Sequence, residues 1–483
     1  MSRGGFRFCR LGAGIPVLRI LLRLAGSGLL VLAGRLPAAE TRFPAASQPP
    51  NVLLMYVDNV GYGDLGCYGN RAVLTPRIDR LAREGARCTS FYVVTSSCTP
   101  SRGALLTGRY PRRNGLEHQL ASTENWVGIG LPHRERLLPE YLKGAGYATG
   151  CFGKWNIGFA PGSRPTERGF DEFLGFRSGN IGYDDHLYNG EYDVFRGTEL
   201  HPVKGYATDL WAEAAIDFIA RHAARPWFVY LPFNAAHFVN AGNVPKGQKP
   251  VWPAPAAALA RYGWPADEAD EKRRYLAVLT ALDDAIGRVL DRVDALGLRD
   301  RTLVAFISDN GAFMLPGRGR EVASNAPLRD GGTTCYEGGV RVPAIFRWPG
   351  RIPAGREVGA MLSHLDVVPL CLEVSGASAL PGRVLDGRSP LPALASGAAS
   401  PHARLFFAYD QGLAVREERL KLVRQGRAPW ELYDLAEDPG EARNLAAARP
   451  AEVTRLAVVL ADWEREVRRD ASPPATRPGR KQK

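Results

Sequence analysis

The chain has 483 residues, enough for one large α/β domain and a smaller second one. Hydrophobic residues make up 45% and charged residues 23%, which is ordinary for a soluble globular protein. The formal net charge of +12 favours anionic partners, but much of the excess is arginine scattered along the chain and at its two ends, with no nucleic-acid-binding motif, so we exclude nucleic acid as a partner.

Residues 1–39 have the pattern of an export signal. Several arginines precede an apolar run at residues 24–33, and small residues follow as far as Ala39. This order is typical of a secretory signal peptide. The apolar run is too short to span a bilayer, so an uncleaved anchor is the less favoured alternative and we expect no stable membrane insertion. The pattern predicts export to the periplasm or outside the cell, or to a lysosome-like compartment in a eukaryote.

The first predicted strand ends in two polar residues. Residues 52–57 are a continuous apolar run, as expected of a strand that is buried on both faces of a parallel sheet. Asp58 and Asn59 follow it directly. Open α/β sheets bind their ligands at the carboxyl ends of the strands, so these two side chains are candidate site residues.

Cys98 begins the stretch Cys-Thr-Pro-Ser-Arg. Thr99 can cap a helix and Pro100 suits its first turn, so we expect Cys98 at a helix N-terminus, where the helix dipole favours an anionic group. Arg102 would lie on the same helix face, close enough to hold a developing oxyanion. A buried structural cysteine is the alternative for Cys98 alone, but the flanking Pro, Ser and Arg favour a site.

Two further predicted strands lead into polar residues. The strand at 148–152 runs into Lys154 and Asn156, and the strand at 227–231 is followed by His237. A lone histidine is more often structural, yet its place after a strand end favours a role in the site. Helices are expected at 138–144 and 206–220, and residues 240–266 are predicted to form a surface loop that could rim a cleft.

A second strand also ends in Asp-Asn. The predicted helix at 271–297 precedes an apolar run at 302–307, which leads to Asp309 and Asn310. A turn or a helix cap is the simpler interpretation of each Asp-Asn pair alone. If the two strands are neighbours, carboxylate and amide oxygens from both pairs meet and suit a hard cation such as Ca²⁺ or Mg²⁺.

The last part of the chain has a different composition. Residues 376–400 are small and Pro-rich and are interpreted as a linker after a catalytic domain at 50–375. Residues 401–470 contain four short predicted strands and a helix at 451–467, which predicts a small α+β subdomain. Residues 471–483 are expected to be disordered.

Together these stretches resemble the type I sulfatases of the alkaline phosphatase-like superfamily, and the resemblance extends from residue 51 to residue 467. It implies a large, mixed but mainly parallel sheet sandwiched by helices, followed by a smaller antiparallel sheet with one helix. The matching motifs are the opening block at 58–66, Cys-x-Pro-Ser-Arg at 98–102 with Thr107 and Gly108, the Gly-Lys-Trp block at 153–158, Asp309-Asn310, and the Tyr-Glu-Gly-Gly block at 336–343.

The resemblance also implies a chemistry. A formylglycine-generating enzyme would oxidise Cys98 to formylglycine, whose hydrate attacks sulfur, releases the alcohol and then expels sulfate. Arg102 would steady the formylglycine, Lys154 would hold the sulfate and His237 would protonate the leaving oxygen. Asn156 would contact the substrate. The implied ligands of Ca²⁺, or of Mg²⁺, are Asp58, Asn59, Asp309, Asn310 and residue 98.

Three positions depart from the family pattern. Asn59 stands where an aspartate is usual, Asn156 where a histidine is usual and Gly332 where a lysine is usual. His186 or Arg320 could replace the lost groups.

The favoured function is an arylsulfatase-like sulfuric ester hydrolase acting on a sulfated small molecule or glycan. The alternatives are an impaired homologue that binds sulfated ligands, and a phosphate or phosphonate ester hydrolase of the same superfamily.

Overall fold

The computed structural model describes residues 48–120, 129–239, 252–314 and 322–473. The predicted signal peptide at 1–39, most of the C-terminal tail and Arg320 lie outside these ranges. No helix within them is both long enough and apolar enough to cross a membrane.

Strands and helices are interspersed along the described chain. The strands are β1 (Asn51–Val57), β2 (Ala86–Cys88), β3 (Phe91–Tyr92), β4 (Ala148–Lys154), β5 (Glu172–Phe176), β6 (Leu187–Tyr188), β7 (Glu191–Tyr192), β8 (Phe195–Arg196), β9 (Glu199–Leu200), β10 (Trp227–Pro232), β11 (Thr302–Ser308), β12 (Ala344–Arg347), β13 (Arg356–Val358), β14 (Leu362–Ser363), β15 (Arg404–Tyr409), β16 (Gly412–Glu417), β17 (Leu420–Arg424) and β18 (Glu431–Asp434). The helices are α1 (Pro76–Glu84), α2 (Cys98–Thr107), α3 (Pro111–Asn114), α4 (Leu138–Gly144), α5 (Ala207–Arg221), α6 (Ala256–Ala260), α7 (Glu271–Ala295), α8 (Glu337–Val340), α9 (Val367–Ser375), α10 (Leu391–Ser396) and α11 (Pro450–Arg469).

A large mixed sheet forms the centre of the fold. Its strand order is β13-β2-β12-β11-β1-β10-β4-β5-β8-β9. The four middle strands β11, β1, β10 and β4 are mutually parallel, and every residue of each is buried. Their continuous apolar runs follow from burial on both faces. Parallel strands also bring their carboxyl ends to one edge of the sheet.

Helices cover both faces of this sheet. Side chains of β1 alternate between two cores: Leu53 and Met55 pack with residues of α1, α5 and α7, whereas Leu54 and Tyr56 pack with residues of α2, α4 and α9. The period of two along a strand explains this alternation. The predicted α/β sandwich is therefore confirmed.

A smaller antiparallel sheet, in the order β15-β16-β17-β18, follows the large one. One of its faces packs on α11, and the other, with Phe407 and Tyr433, packs against Tyr92 and neighbouring residues of the large sheet's loops. Lys421 of β17 is fully buried between Glu337, at 2.9 Å, and Glu441, at 3.0 Å. The ion pair with Glu337 joins the small sheet to α8, and both carboxylates compensate the buried cation.

The predicted helices and strands are confirmed to within a few residues, with local differences. Thr99 does not cap α2: the helix begins at Cys98, and Ser97 occupies the N-cap position. The Thr99 hydroxyl instead donates to Asn156. The predicted linker contains α10, and the described part of the predicted 240–266 loop contains α6.

Candidate active site

Four neighbouring strands deliver the predicted site residues to one edge of the sheet. Asp309 and Asn310 follow β11, Asp58 and Asn59 follow β1, His237 follows β10 by a short loop, and Lys154 ends β4. The pairing of β1 with both β11 and β10, and of β10 with β4, makes these ends adjacent. This edge is where open α/β sheets bind ligands.

Cys98 occupies the first position of α2 and faces the end of β1. Its thiol donates to Oδ1 of Asp58 at 3.5 Å and lies 4.0 Å from Oδ1 of Asn59. Burial, and then the negative charge of Asp58, raise the pKa of the Cys98 thiol well above its usual value. The thiolate is the nucleophilic form of cysteine, so unmodified Cys98 is held in its unreactive state.

Hydrogen bonds from Ser101 fix α2 on the sheet. The Ser101 hydroxyl donates to the backbone carbonyl of Asp309 at 2.6 Å and lies 2.8 Å from the hydroxyl of Tyr56. His364 lies 3.3 Å from both hydroxyls and accepts from the backbone amide of Val94 through its other ring nitrogen. These groups are buried, and they hold the N-terminus of α2 at the strand ends.

Two cations and two carboxylates form the centre of the site. Lys154 donates to Oδ2 of Asp58 at 2.6 Å, and Arg102 donates to Oδ2 of Asp309 at 2.6 Å. All four side chains have an exposed fraction of 0%. Burial, and then the nearby carboxylate of Asp58, raise the pKa of Asp309. The carboxylates are therefore crowded, an arrangement that a cation between them would relieve.

The oxygen atoms at this centre fit a divalent metal ion. Asn310 donates through Nδ2 to Oδ1 of Asn59, while Oδ1 of Asn310 is buried without a hydrogen-bond partner. Ligand atoms of Asp58, Cys98 and His237 lie within 4.8 Å of one another. Ca²⁺ and Mg²⁺ bind carboxylate and amide oxygens, so the unpartnered oxygen of Asn310 has a ready role as a ligand.

Asn156 is fixed by two donors to its side-chain oxygen. Oδ1 accepts from the hydroxyl of Thr99 at 3.0 Å and from Nε2 of Gln119 at 3.2 Å. Its Nδ2 is buried and has no partner. The residue has φ = 55°, a left-handed conformation that asparagine tolerates better than most residues. The amide therefore has a free donor at the site but no proton acceptor that could act as a base.

The surroundings of His237 favour its neutral form. Desolvation, and then the positive charge of Lys154, lower the pKa of His237 to about 3. Its Nδ1 lies 2.7 Å from the carbonyl oxygen of Phe238 and 3.1 Å from Nδ2 of Asn180. A proton on Nδ1 would bond to that carbonyl and leave the second ring nitrogen as an acceptor.

The structure also involves residues that the sequence patterns did not indicate. Gln119 accepts through Oε1 from the hydroxyl of Ser97 and the backbone amide of Thr99, both at 3.0 Å. Tyr409 reaches the site from the small sheet, where its phenol bonds to Ser97 and lies near Cys98. Neither residue belongs to a motif or a periodic pattern, so no sequence signal marks it.

The structure also places His186 and Gly332, the suggested replacement and the position of the missing lysine. Nε2 of His186 bonds to the carbonyl of Gly205 at 2.9 Å, and the ring packs edge-on to Tyr192. These contacts are with Gly205 and Tyr192, so a role of His186 in replacing a lost group stays a prediction. Gly332 is buried beside the centre, where its backbone amide donates to the carbonyl of Ala312 at 3.0 Å.

Comparisons with known proteins found matches along most of the chain. Residues 50–377 match the family model described as Sulfatase, and residues 333–462 match the model described as N-sulphoglucosamine sulphohydrolase, C-terminal. The chain is 35% identical over 401 residues to N-acetylgalactosamine-6-sulfatase of Canis lupus familiaris, covering 79% of this chain and 72% of that protein. It is 33% identical over 459 residues to arylsulfatase A of Homo sapiens, covering 83% and 84%.

A solved structure is also similar. The crystal structure of Ps i-CgsB in complex with k-i-k-neocarrahexaose superposes with a TM-score of 0.79 and is 27% identical, covering 89% of this chain and 95% of that one.

Proposed function

The chain belongs to the sulfatase family and is an enzyme that hydrolyses sulfate esters, and we propose that its nucleophile is a formylglycine formed from Cys98. The observation that carries this proposal is the place of Cys98 at the N-terminus of α2, 3.5 Å from Asp58, with a thiol whose pKa is raised. A neutral thiol is a poor nucleophile there. A hydrated aldehyde at the same position would supply a hydroxyl instead.

The proposed metal site uses oxygens from the two Asp-Asn pairs. Asp58, Asn59, Asp309 and Asn310 would hold Ca²⁺, or Mg²⁺, together with an oxygen of residue 98. A divalent cation would polarise the ester oxygens and lower the pKa of the attacking hydroxyl. The buried, unpartnered Oδ1 of Asn310 supports this assignment. Asn59 contributes no charge, so the site has one negative charge fewer than a site with aspartate there.

The surrounding side chains bind and orient the ester. Lys154, buried on Asp58, would contact the sulfate oxygens, and Arg102 would hold the oxygen of residue 98 against Asp309. Nδ2 of Asn156 would donate to a substrate oxygen, since it is the one buried donor of that side chain left without a partner.

His237 is the proposed general acid for the leaving oxygen. Its pKa is lowered to about 3 in the absence of substrate. A bound anionic ester would favour the protonated ring, because a neighbouring opposite charge stabilises the charged form. The same histidine would then give its proton to the departing alcohol.

The substrate is proposed to be a sulfated small molecule or a sulfated glycan. The relatives are named for an amino-sugar sulfate and for aryl sulfates, and the similar structure holds k-i-k-neocarrahexaose. The proposal includes export, supported by the leader pattern at 1–39, and maturation by a formylglycine-generating enzyme.

The test is a parallel assay of matched esters. The protein, expressed together with a formylglycine-generating enzyme and supplied with Ca²⁺, is given 4-nitrophenyl sulfate and 4-nitrophenyl phosphate. We expect hydrolysis of the sulfate, a clear preference over the phosphate, and loss of both in Cys98→Ala. A preference for the phosphate would favour the phosphate or phosphonate ester hydrolase instead.

One observation favours the impaired homologue as a second candidate. Asn156 has no proton acceptor that could assist expulsion of sulfate. If this step has no other base, the protein would bind sulfate esters and turn them over very slowly. Binding of an ester without steady-state hydrolysis would distinguish this candidate from an active sulfatase.

A further inference from the structure

Phe313 occupies the space where a side chain at position 332 would lie. A Cβ placed on Gly332 would come within 2.9 Å of Cδ1 and 3.0 Å of Cε1 of the Phe313 ring. It would also lie 2.9 Å from the carbonyl oxygen of Gly311. Real Cβ atoms do not approach other atoms so closely. Position 332 therefore has room only for glycine while the Phe313 ring has this orientation. The ring lies beside the catalytic centre, where a side chain at position 332 would otherwise lie.

Hydrogen bonds hold the backbone next to this ring. The amide of Gly332 donates to the carbonyl of Ala312 at 3.0 Å. The side chain of Asn325 bonds to both the amide and the carbonyl of Ala312, each at 2.9 Å. The backbone immediately before Phe313 is therefore held by a buried asparagine.

The ring continues an aromatic wall beside the proposed general acid. Phe313 packs edge-on to His237, with ring centroids 6.2 Å apart, and to Phe238, at 6.4 Å. Phe238 packs edge-on to Trp252 at 6.0 Å. His237, Phe238 and Phe313 are half-buried. Each ring therefore keeps part of its surface exposed and able to contact a ligand.

Resting on the proposed function, we propose that Phe313 is a specificity-determining residue that contacts the alcohol part of the ester. An aromatic face binds the apolar face of a ring, whether of a sugar or of an aryl group. It offers no hydrogen bond to an anion, and a second negative charge placed against it would lose water without compensation. The pocket therefore selects esters with one sulfate and an apolar ring face over esters with a second anionic group beside the sulfate.

Binding to a protein that cannot turn over tests this directly. Cys98→Ala, saturated with Ca²⁺, is titrated calorimetrically with two matched pairs of ligands. The aryl pair is phenyl sulfate and 2-carboxyphenyl sulfate, whose carboxylate is ortho to the sulfate. The sugar pair is N-acetylgalactosamine 6-sulfate and its 4,6-disulfate. Each titration is repeated in the protein that also carries Phe313→Ala. The matched control carries Met314→Ala instead, because the side chain of this neighbouring residue lies beside Gly331.

We expect the singly charged member of at least one pair to bind about tenfold more tightly than its doubly charged partner. Phe313→Ala should weaken the binding of that singly charged ligand by about tenfold. Met314→Ala should leave both values within about twofold. The proposal is overturned if no pair shows the preference, or if the preference survives Phe313→Ala in a protein whose thermal unfolding is unchanged. Turnover by the formylglycine form, measured separately, reports on the proposed function and does not enter this comparison.

Discussion

Arg102 of α2 donates to Oδ2 of Asp309, which follows β11, over 2.6 Å, and neither side chain is exposed to solvent. The same guanidinium lies 3.6 Å from Oδ2 of Asp58. One cation thus joins the helix that carries Cys98 to the ends of two strands. Its positive charge compensates two carboxylates, which would be costly to bury without a paired cation.

Removing this cation is expected to cost both stability and activity. Arg102→Ala leaves Asp309 buried and unpaired, so the free energy of unfolding should fall by about 3–5 kcal/mol. Arg102→Lys keeps the charge but loses the planar donor geometry, so hydrolysis should fall more than stability does. Urea unfolding measures the change in stability, and kcat/KM measures the change in activity.

The control is Arg83→Ala. The Arg83 side chain is exposed, so its removal should change the free energy of unfolding by no more than about 0.5 kcal/mol. Equal stability of Arg102→Ala and Arg83→Ala would contradict this account.

Asn59→Asp is expected to strengthen Ca²⁺ binding. Nδ2 of Asn59 is buried without a partner, and aspartate replaces that unpaired donor by a charged oxygen. Its φ of 59° suits aspartate as it suits asparagine. Because affinity rises with the number of charged ligands, calorimetric titration should show an increase of about tenfold. Asp309→Asn should change affinity in the opposite direction. An unchanged affinity in both variants would mean that Ca²⁺ does not bind between the two Asp-Asn pairs.

Asn156→His is expected to increase turnover. The position has φ = 55°, which histidine adopts more readily than most residues, and an imidazole there would supply the proton acceptor that the amide lacks. General base catalysis should raise kcat for 4-nitrophenyl sulfate by about tenfold or more. Asn156→Ala, which removes the free donor without adding a base, should raise KM and leave kcat no higher. A folded Asn156→His protein with unchanged kcat would show that sulfate expulsion does not depend on this residue.

Gly332→Lys is not expected to restore a sulfate contact. The new side chain would meet the Phe313 ring within 3.0 Å, so overpacking should lower the free energy of unfolding by about 1–3 kcal/mol. Adding Phe313→Ala should recover part of this loss, although the carbonyl of Gly311 still lies close. A double-mutant cycle of unfolding free energies measures the coupling. Strict additivity of the two changes would contradict the contact between these positions.

The sequence predicts the strand-end residues well because of one geometric rule. Asp58, Lys154, His237 and Asp309 follow apolar runs, and parallel strands bring such ends together. Tyr409, Gln119 and Phe313 could not be predicted in this way. They reach the site from a hairpin, a surface segment and a loop, where no periodic pattern reports which way a side chain points. The cap of α2 was also misassigned, because Ser97 and Thr99 have equal capping chemistry and only the backbone distinguishes them.

The mass of the tryptic peptide 88–102 tests the central claim most directly. This peptide contains Cys98 and is released by cleavage after Arg87 and Arg102. After expression with a formylglycine-generating enzyme, we predict the mass of an aldehyde in place of one thiol, in a fraction of molecules that matches the fraction active on 4-nitrophenyl sulfate. An unmodified cysteine at position 98 in protein that hydrolyses the sulfate would contradict the account.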